Sequence, residues 1–330
     1  MRSSLFSTLR PVALGLAALT TVALSACSSS QAADSAASGY AVTVGFISNT
    51  PTPATPLGYA AKDGTLQASL RAAGVTKVNW LPFKNGPDLT AALKGGSLDL
   101  GILGDTPAVT AKATGVKTRL VNQDFVGQDT WLFASHGGPT TLAGLAGKTV
   151  ATQVGSYMYR YLLAVLDEQG LTGKVKVTHV YTTAAVAALK SGGIAAYAAP
   201  VGQLTAALSQ AGFPIIEKAS DDHTDLLGTS LTVIAGSSLA KHPGLPAAWN
   251  AARTAAIKDA TKDSAAYYAF AASASHTSEQ VVKQATPLAN YPTQAFTPGG
   301  TAKLTALNTF LVSHKLAASA VDLSSWRVAD

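Results

Sequence analysis

The chain has 330 residues, of which 47% are hydrophobic and 13% are charged, and its formal net charge is +6. The charged share is well below the value of about 25% in a typical soluble domain, which indicates a compact globular body. No run of Lys and Arg with interleaved aromatic residues is present, which argues against nucleic acid as a partner. The single cysteine, Cys27, excludes an internal disulfide, a thiolate zinc cluster and an iron–sulfur site.

The N-terminal segment has the pattern of a secretory signal. Arg2 and Arg10 precede an apolar run, residues 12–26, which ends in small residues. This run is shorter than the roughly 20 apolar residues that a membrane-spanning helix needs. We therefore predict a signal peptide over residues 1–26, followed by a flexible Ser/Ala-rich tether over residues 27–40.

The next block alternates short strands and helices. Helices are predicted at 59–73, at 89–94 with Asp88 as N-cap, and after Gly104, where Thr106 would cap a helix with Pro107 in its first turn. Strands are predicted at 41–47, 75–83, 98–103, 119–126 and 130–134. Alternation of this kind indicates α/β layers.

A second block repeats the pattern, and the chain then returns. Strands are predicted at 148–153, 175–181, 194–199 and 226–235, with helices at 157–169 and 183–190 and a helical region from 240 to about 316. Because one α/β block interrupts another, we expect two lobes joined by two crossovers, with a ligand cleft between them. The predicted boundaries are 41–134 and 228–330 for the first lobe and 135–227 for the second.

Three ordered motifs indicate a family. They are the run from Gly86-Pro87 to Gly104-Asp105-Thr106-Pro107, the pair formed by 145–151 and Gly155-Ser156, and the segment 238–243, which ends Lys-His-Pro. Over about residues 41–323 the chain resembles the aliphatic-sulfonate/taurine/nitrate-binding family of ABC-transporter substrate-binding proteins. The resemblance implies a two-lobed type 2 periplasmic-binding-protein fold, in which each lobe is a mixed sheet with flanking helices.

The end of the signal segment carries a further resemblance. Leu24-Ser25-Ala26-Cys27 is similar to the bacterial lipoprotein box. The resemblance implies cleavage before Cys27 and lipidation of that residue, so that the exported protein is anchored by lipid alone to the outer face of the cell membrane. A plain signal peptide followed by a chance cysteine is the alternative.

Candidate ligand contacts lie where predicted strands end and helices begin. Free N–H groups at a helix start, as expected at Thr106 and Ser156, favour an anion. Ser156 could instead serve only as an N-cap, and Asp105 would repel an oxyanion, so it orients the loop or pairs with a ligand amino group. The predicted ligand-binding residues are Asn49, Thr50, Gly104, Asp105, Thr106, Trp131, Gly155, Ser156, Tyr157, Tyr159, Thr229 and Ser230.

The resemblance implies a receptor for import. We expect a monomer that captures a small oxyanion-bearing metabolite, similar to an aliphatic sulfonate, and delivers it to an ABC permease with a cytoplasmic ATPase. Segments 49–56 and 195–202 depart from the family pattern, which leaves nitrate, a heteroaromatic molecule or an amine-bearing molecule as alternatives, and a ligand sensor as an alternative role. The stretch Ser238-Leu239-Ala240-Lys241 matches S-x-x-K, but neither S-D-N nor K-T-G accompanies it, and Ser238 also suits a helix cap. No other catalytic motif and no metal-ligand spacing is present, so we expect neither enzymatic activity nor a cofactor, with an enzyme of the same fold as the remaining alternative.

Overall fold

The computed structural model of the protein describes residues 39–329. The predicted signal peptide, the lipidation residue Cys27 and all but the end of the predicted tether lie outside these residues. The strands of the described part are β1 (Tyr40–Ile47), β2 (Val75–Phe83), β3 (Leu100–Gly104), β4 (Thr118–Gln128), β5 (Thr130–Ala134), β6 (Thr149–Thr152), β7 (Lys176–His179), β8 (Ala196–Pro200), β9 (Ile215–Lys218) and β10 (Gly228–Ala235).

Helices cover both sheets. In chain order they are α1 (Pro56–Lys62), α2 (Thr65–Leu70), α3 (Gly86–Lys94), α4 (Asp105–Ala113), α5 (Tyr157–Glu168), α6 (Ala185–Lys190), α7 (Gln203–Gln210), α8 (Ala219–Asp222), α9 (Gly236–Lys241), α10 (Leu245–Lys262), α11 (Ser264–Ser275), α12 (Glu279–Ala285), α13 (Pro298–Ser313) and α14 (Leu323–Trp326). In the part of the chain that the structure describes, no helix is long and apolar enough to span a membrane.

The first sheet has the strand order β2-β1-β3-β10-β4. Strand β1 runs parallel to β2 and β3, whereas β10 is antiparallel to β3 and β4. Strand β10 is buried along nearly all its length, as expected for a strand covered on both faces. Its core includes Trp249 of α10 on one face and Trp326 of α14 on the other.

The second sheet has the order β7-β6-β8-β5-β9, with β6 parallel to its neighbours and β5 antiparallel to β8 and β9. Two mixed sheets with flanking helices confirm the predicted two-lobed α/β fold. One assignment was wrong: β5, placed in the first lobe by its sequence, pairs in the second sheet. The chain crosses at Asp129, whose carboxylate accepts hydrogen bonds from the N–H groups of Thr130 and Ser220 and from Trp131 Nε1.

The structure also corrects three of the predicted helices. The predicted helix 59–73 is two short helices and a 3₁₀ turn, interrupted at Gly64, whose φ of 82° lies in the left-handed region that favours glycine. Helix α3 begins at Gly86 because Asn85 is its cap: Asn85 Oδ1 accepts from the N–H of Asp88 at 2.8 Å. Helix α4 begins at Asp105, and its N-cap is Gly104 rather than the predicted Thr106.

Candidate functional site

Two neighbouring cavities form a cleft at the ends of the first-sheet strands. The larger, here called the main chamber, has a volume of about 230 Å³, and the smaller, the side chamber, about 70 Å³. The main chamber is lined by residues that include Phe46, Ser48, Gly104, Asp124, Phe125, Gln128, Ser230, Thr286 and Tyr291. The side chamber is lined by residues that include Asn85, Gly104, Gln128, Gln153, Ser156, Tyr157 and Met158. Ile47, Gly104 and Gln128 line both chambers, so the two chambers adjoin at these residues.

Four of the predicted site residues lie in these walls. Gly104 borders both chambers, Ser230 borders the main chamber, and Ser156 and Tyr157 border the side chamber. The side chamber therefore has walls from both lobes. The other predicted residues lie outside the walls of the two chambers: Asn49, Thr50, Asp105, Thr106, Trp131, Gly155, Tyr159 and Thr229.

Local hydrogen bonds explain several of these placements. Thr50 is buried and its side chain contacts Ser48 and the carbonyl of Thr52, so it closes a turn. The indole of Trp131 donates to Asp129 at 2.8 Å, and Lys218 Nζ lies 4.7 Å from the centre of its ring. Trp131 therefore supports the crossover. Thr229 is fully buried, and its hydroxyl has no partner among the described residues.

The start of α4 is closed by its own carboxylate. Asp105 Oδ1 accepts from the N–H of Thr106 at 2.5 Å and from the Thr106 hydroxyl at 3.0 Å. Asp105 Oδ2 accepts from the N–H of Thr229 at 2.9 Å and lies 3.7 Å from Arg160 Nη2. Both charged side chains are buried. Of the two roles considered for Asp105, this geometry supports loop orientation, and it leaves Thr106 no free donor for a ligand.

The start of α5 is open. Ser156 is the N-cap: its Oγ accepts from the N–H of Tyr159 at 3.2 Å and donates to the carbonyl of Gln153 at 2.6 Å. Gly155, with a φ of 83°, makes the left-handed turn that leads into this cap. The first N–H groups of a helix have no intrahelical acceptor, and those of Tyr157 and Met158 belong to residues that line the side chamber. The helix dipole favours an anion at this point.

A polar run in a buried strand forms one wall of the main chamber. Asn122, Gln123 and Asp124 of β4 are all buried. Asp124 lines the chamber, and its Oδ1 lies 3.3 Å from Nε of Arg253 on α10. Burial raises the pKa of Asp124 more strongly than the Arg253 guanidinium lowers it, and burial lowers the pKa of Arg253.

Sequence reasoning missed Asp124 and Gln128. Gln128 ends β4 at the crossover, and its buried Oε1 has no hydrogen-bond partner among the described residues. The signal was available, because three consecutive polar residues in an otherwise apolar strand are unusual unless each has a buried partner. Among the described residues, neither chamber is lined by Lys, Arg or His, and no three metal-ligating side chains cluster.

The comparisons with known proteins give one curated relative. No family model matches the chain. The chain is 32% identical over 172 residues to a putative aliphatic sulfonates-binding protein of Escherichia coli (strain K12). This match covers 51% of this chain and 53% of the relative. The chain thus spans about half the length of the curated relative that it matches.

Solved structures share the fold over most of the chain. The periplasmic aliphatic sulphonate binding protein of Escherichia coli superposes with a TM-score of 0.69 at 23% identity, covering 87% of this chain and 97% of that one. The alkanesulfonate-binding protein of Xanthomonas axonopodis pv. citri, bound to MOPS, gives 0.72 at 23% identity, with 88% and 100% covered. A desulfurization enzyme also matches, with a TM-score of 0.66, 18% identity, and 88% and 97% covered. The chain therefore has the two-lobed periplasmic-binding-protein fold, and its similarity to an aliphatic sulfonates-binding protein agrees with the family that the three motifs indicate.

Proposed function

We propose that the protein is an extracytoplasmic solute-binding protein that captures a small oxyanion-bearing molecule, of the aliphatic sulfonate type, for an ABC importer. The observation that carries this proposal is the start of α5, where Tyr157 and Met158, whose N–H groups have no intrahelical acceptor, line a chamber bounded by both lobes. No carboxylate lines this chamber among the described residues, so an oxyanion there meets donors without an opposing charge. The names of the curated relative and of two structural neighbours support the same ligand class.

The mechanism follows from the walls of the side chamber. Asn85 and Gly86 come from the first lobe, and Gln153 and Ser156 come from the second. A ligand held by both sets of residues stabilises the closed arrangement of the lobes over the open one, and an importer that recognises the closed form then receives a loaded protein. Asp129 and the segment before β10, where the chain crosses between the sheets, are the positions at which the backbone would turn.

The membrane attachment and the partners belong to the same proposal. Lipidation at Cys27 would hold the protein at the outer face of the membrane beside an ABC permease, as a monomer. We test the anchor by replacing Cys27 with Ser and following the protein in membrane and soluble fractions of the producing cells. Loss from the membrane fraction supports the anchor, whereas unchanged membrane association contradicts it.

We propose binding without turnover. Among the residues that line the two chambers, no Cys, His or Lys is present to activate a nucleophile, although a desulfurization enzyme has the same fold. Calorimetry with a series of alkanesulfonates, with sulfate and nitrate for comparison, tests the binding, and chromatography of the recovered ligand tests for turnover. A dissociation constant in the micromolar range or below with intact ligand supports the proposal. If no member of the series binds or raises the melting temperature, the oxyanion proposal is wrong.

A further inference from the structure

We propose that helix α13 of the first lobe holds helix α5 of the second lobe in the position in which its free N–H groups bind the anion. Lys303, Phe310 and His314 carry this role, although none of them lines either chamber. They are positioning residues, which act on the ligand only through α5. The inference rests on the proposed function, because it assigns the support of the same anion site.

One face of helix α13 belongs to the core of the first lobe. Leu304, Leu307 and Leu311 are buried in a cluster that includes Leu103 of β3 and Leu231 of β10. Their spacing of three and four residues places them on the same side of the helix. This burial fixes α13 to the first sheet, so that its adjoining face is held firmly enough to support the second lobe.

The adjoining face of α13 contacts the second lobe. Phe310 packs on the hydrophobic cluster of the second sheet, to which α5 contributes residues that include Tyr161 and Val165. The rings of Phe310 and His314 are stacked with centroids 3.8 Å apart, and His314 Nε2 lies 4.0 Å from Asp167 Oδ2 near the end of α5. At a rise of about 1.5 Å per residue, this contact lies about 15 Å along α5 from its open start.

Lys303 links α13 to the second lobe at a further point. Its Nζ donates to the carbonyl of Thr224 at 2.6 Å, and two residues later the carbonyl of Leu226 accepts from Nη2 of Arg160 on α5 at 3.0 Å. This short segment belongs to the second lobe, because Leu226 is buried in the cluster of the second sheet. It receives one hydrogen bond from α13 and one from α5, so it ties the positions of the two helices together.

The position of α5 determines the strength of the anion site. Because α5 is one continuous helix, a tilt at its far end displaces the N–H groups of Tyr157 and Met158 relative to Asn85 of the first lobe, which lines the same chamber. Hydrogen bonds weaken steeply when the donor moves out of line. The lobes also meet at the chamber itself, where Gln153 Nε2 donates to the carbonyl of Lys84 at 3.0 Å. The α13 contacts therefore raise the fraction of molecules in which both lobes hold one ligand, and the apparent affinity rises with that fraction.

The experiment measures the affinity for propanesulfonate by calorimetry on the full mature protein and on variants of α13. Lys303→Met removes the donor and keeps most of the length of the side chain, and Phe310→Ala removes the ring. We expect the double variant to bind about tenfold more weakly than the wild type, because the competent fraction falls by that factor. Lys303→Arg combined with Phe310→Leu should restore the affinity to within about threefold of the wild type. Val312→Ala, at an exposed position of the same helix, should leave it unchanged.

A second measurement separates positioning from a general loss of stability. In small-angle scattering, the ligand-free double variant should have a larger radius of gyration than the wild type, because its lobes are held together less firmly. Saturating propanesulfonate should remove this difference, since the ligand restores the closed arrangement. A difference that persists at saturation would mean that the variant is damaged in its packing, and it would overturn the inference.

The outcomes separate the inference from the proposed function. Wild-type affinity in the folded double variant overturns the inference and leaves the oxyanion receptor standing, and so does a loss that the conservative pair does not restore. If the wild-type protein binds no sulfonate, the proposed function fails, and scattering decides whether α13 restrains the second lobe: equal radii overturn this. If the double variant does not fold, Lys303→Met alone, at a half-buried position, should bind about threefold more weakly, and an unchanged affinity overturns the inference.

Discussion

Helices α4 and α5 both begin at the cleft, one in each lobe, and they treat their first N–H groups in opposite ways. At α4 the carboxylate of Asp105 takes the N–H of Thr106 and is itself paired with Arg160. At α5 the neutral hydroxyl of Ser156 takes only the N–H of Tyr159, which leaves those of Tyr157 and Met158 for a ligand. A carboxylate at a helix start fixes structure, whereas a short neutral cap leaves an anion site open.

The largest effect should come from removing the carboxylate at α4. Asp105→Ala leaves the buried Arg160 guanidinium without its partner, and we expect the free energy of unfolding to fall by about 3–5 kcal/mol. Urea denaturation measures this. Asp105→Asn is the control, since it keeps oxygen for the N–H groups of Thr106 or Thr229 and should lose less. A loss below about 1 kcal/mol in the Ala variant would mean that the pair is not structural.

The next effect concerns the free amide at α5. Proline is favoured at the first position of a helix, and Ser156 has the extended ψ of 173° that proline requires before it. Tyr157→Pro therefore removes one N–H without breaking the helix, and Tyr157→Ala is the matched control for loss of the ring. We expect the Pro variant to bind an alkanesulfonate about tenfold more weakly than the Ala variant in calorimetry. Equal affinities would exclude this amide from the site.

A smaller effect is expected at the cap itself. Ser156→Ala should lower the free energy of unfolding by about 1 kcal/mol, because the hydroxyl serves the helix. Since its hydrogen is already donated to Gln153, ligand affinity should change by less than about threefold. Thermal unfolding and calorimetry on the same preparation measure both quantities. A loss of affinity without a loss of stability would reverse the assignment and make the hydroxyl a ligand contact.

The smallest expected effect concerns a solvent-exposed carboxylate cap, that of Asp322. Asp322 accepts hydrogen bonds from Ser324 and Ser325 at the start of α14, and these bonds lower its pKa to about 2. Because the folded pKa lies below the unfolded value of about 3.9, the bonds contribute stability above pH 4 and lose it as the pH falls toward 2. Carboxyl NMR titration, with Asp322→Asn for assignment, measures the pKa. A value near 4 would show that the cap does not hold in solution.

Much of the fold could be predicted from the sequence because its signals are local. The two sheets are predicted by strands with a period of two, by glycines after helices and by the return of the chain to the first lobe near residue 228. Gly155-Ser156 predicts the start of α5. The crossover could not be found in this way. Strands β4 and β5 are separated by Asp129 alone, and the change of sheet shows only in long-range contacts, namely the pairing of β5 with β8 and β9 and the hydrogen bond from the N–H of Ser220 to the Asp129 carboxylate.

The site was harder to predict because its polar residues depend on partners far along the chain. Asp105 reads as a ligand contact until Arg160 and the N–H of Thr229 are placed beside it. From the sequence, Asp124 is predicted only as part of a strand, and its role depends on the contact with Arg253 that the fold creates. Burial and pairing of charges are tertiary properties, so a motif identifies the turn and leaves the role of its carboxylate undecided.

The polar run of β4 also bears on the order in which the first lobe can be completed. Gln123 Oε1 accepts a hydrogen bond from the N–H of Thr297, 174 residues further along the chain. Asp124 Oδ1 accepts one from Nε of Arg253, 129 residues further along. Until the last third of the polypeptide has arrived, this strand carries polar groups that can be buried only at a cost. The first sheet must therefore form through contacts of high sequence separation, which makes for slow folding, and it can reach its final packing only when the whole chain is present.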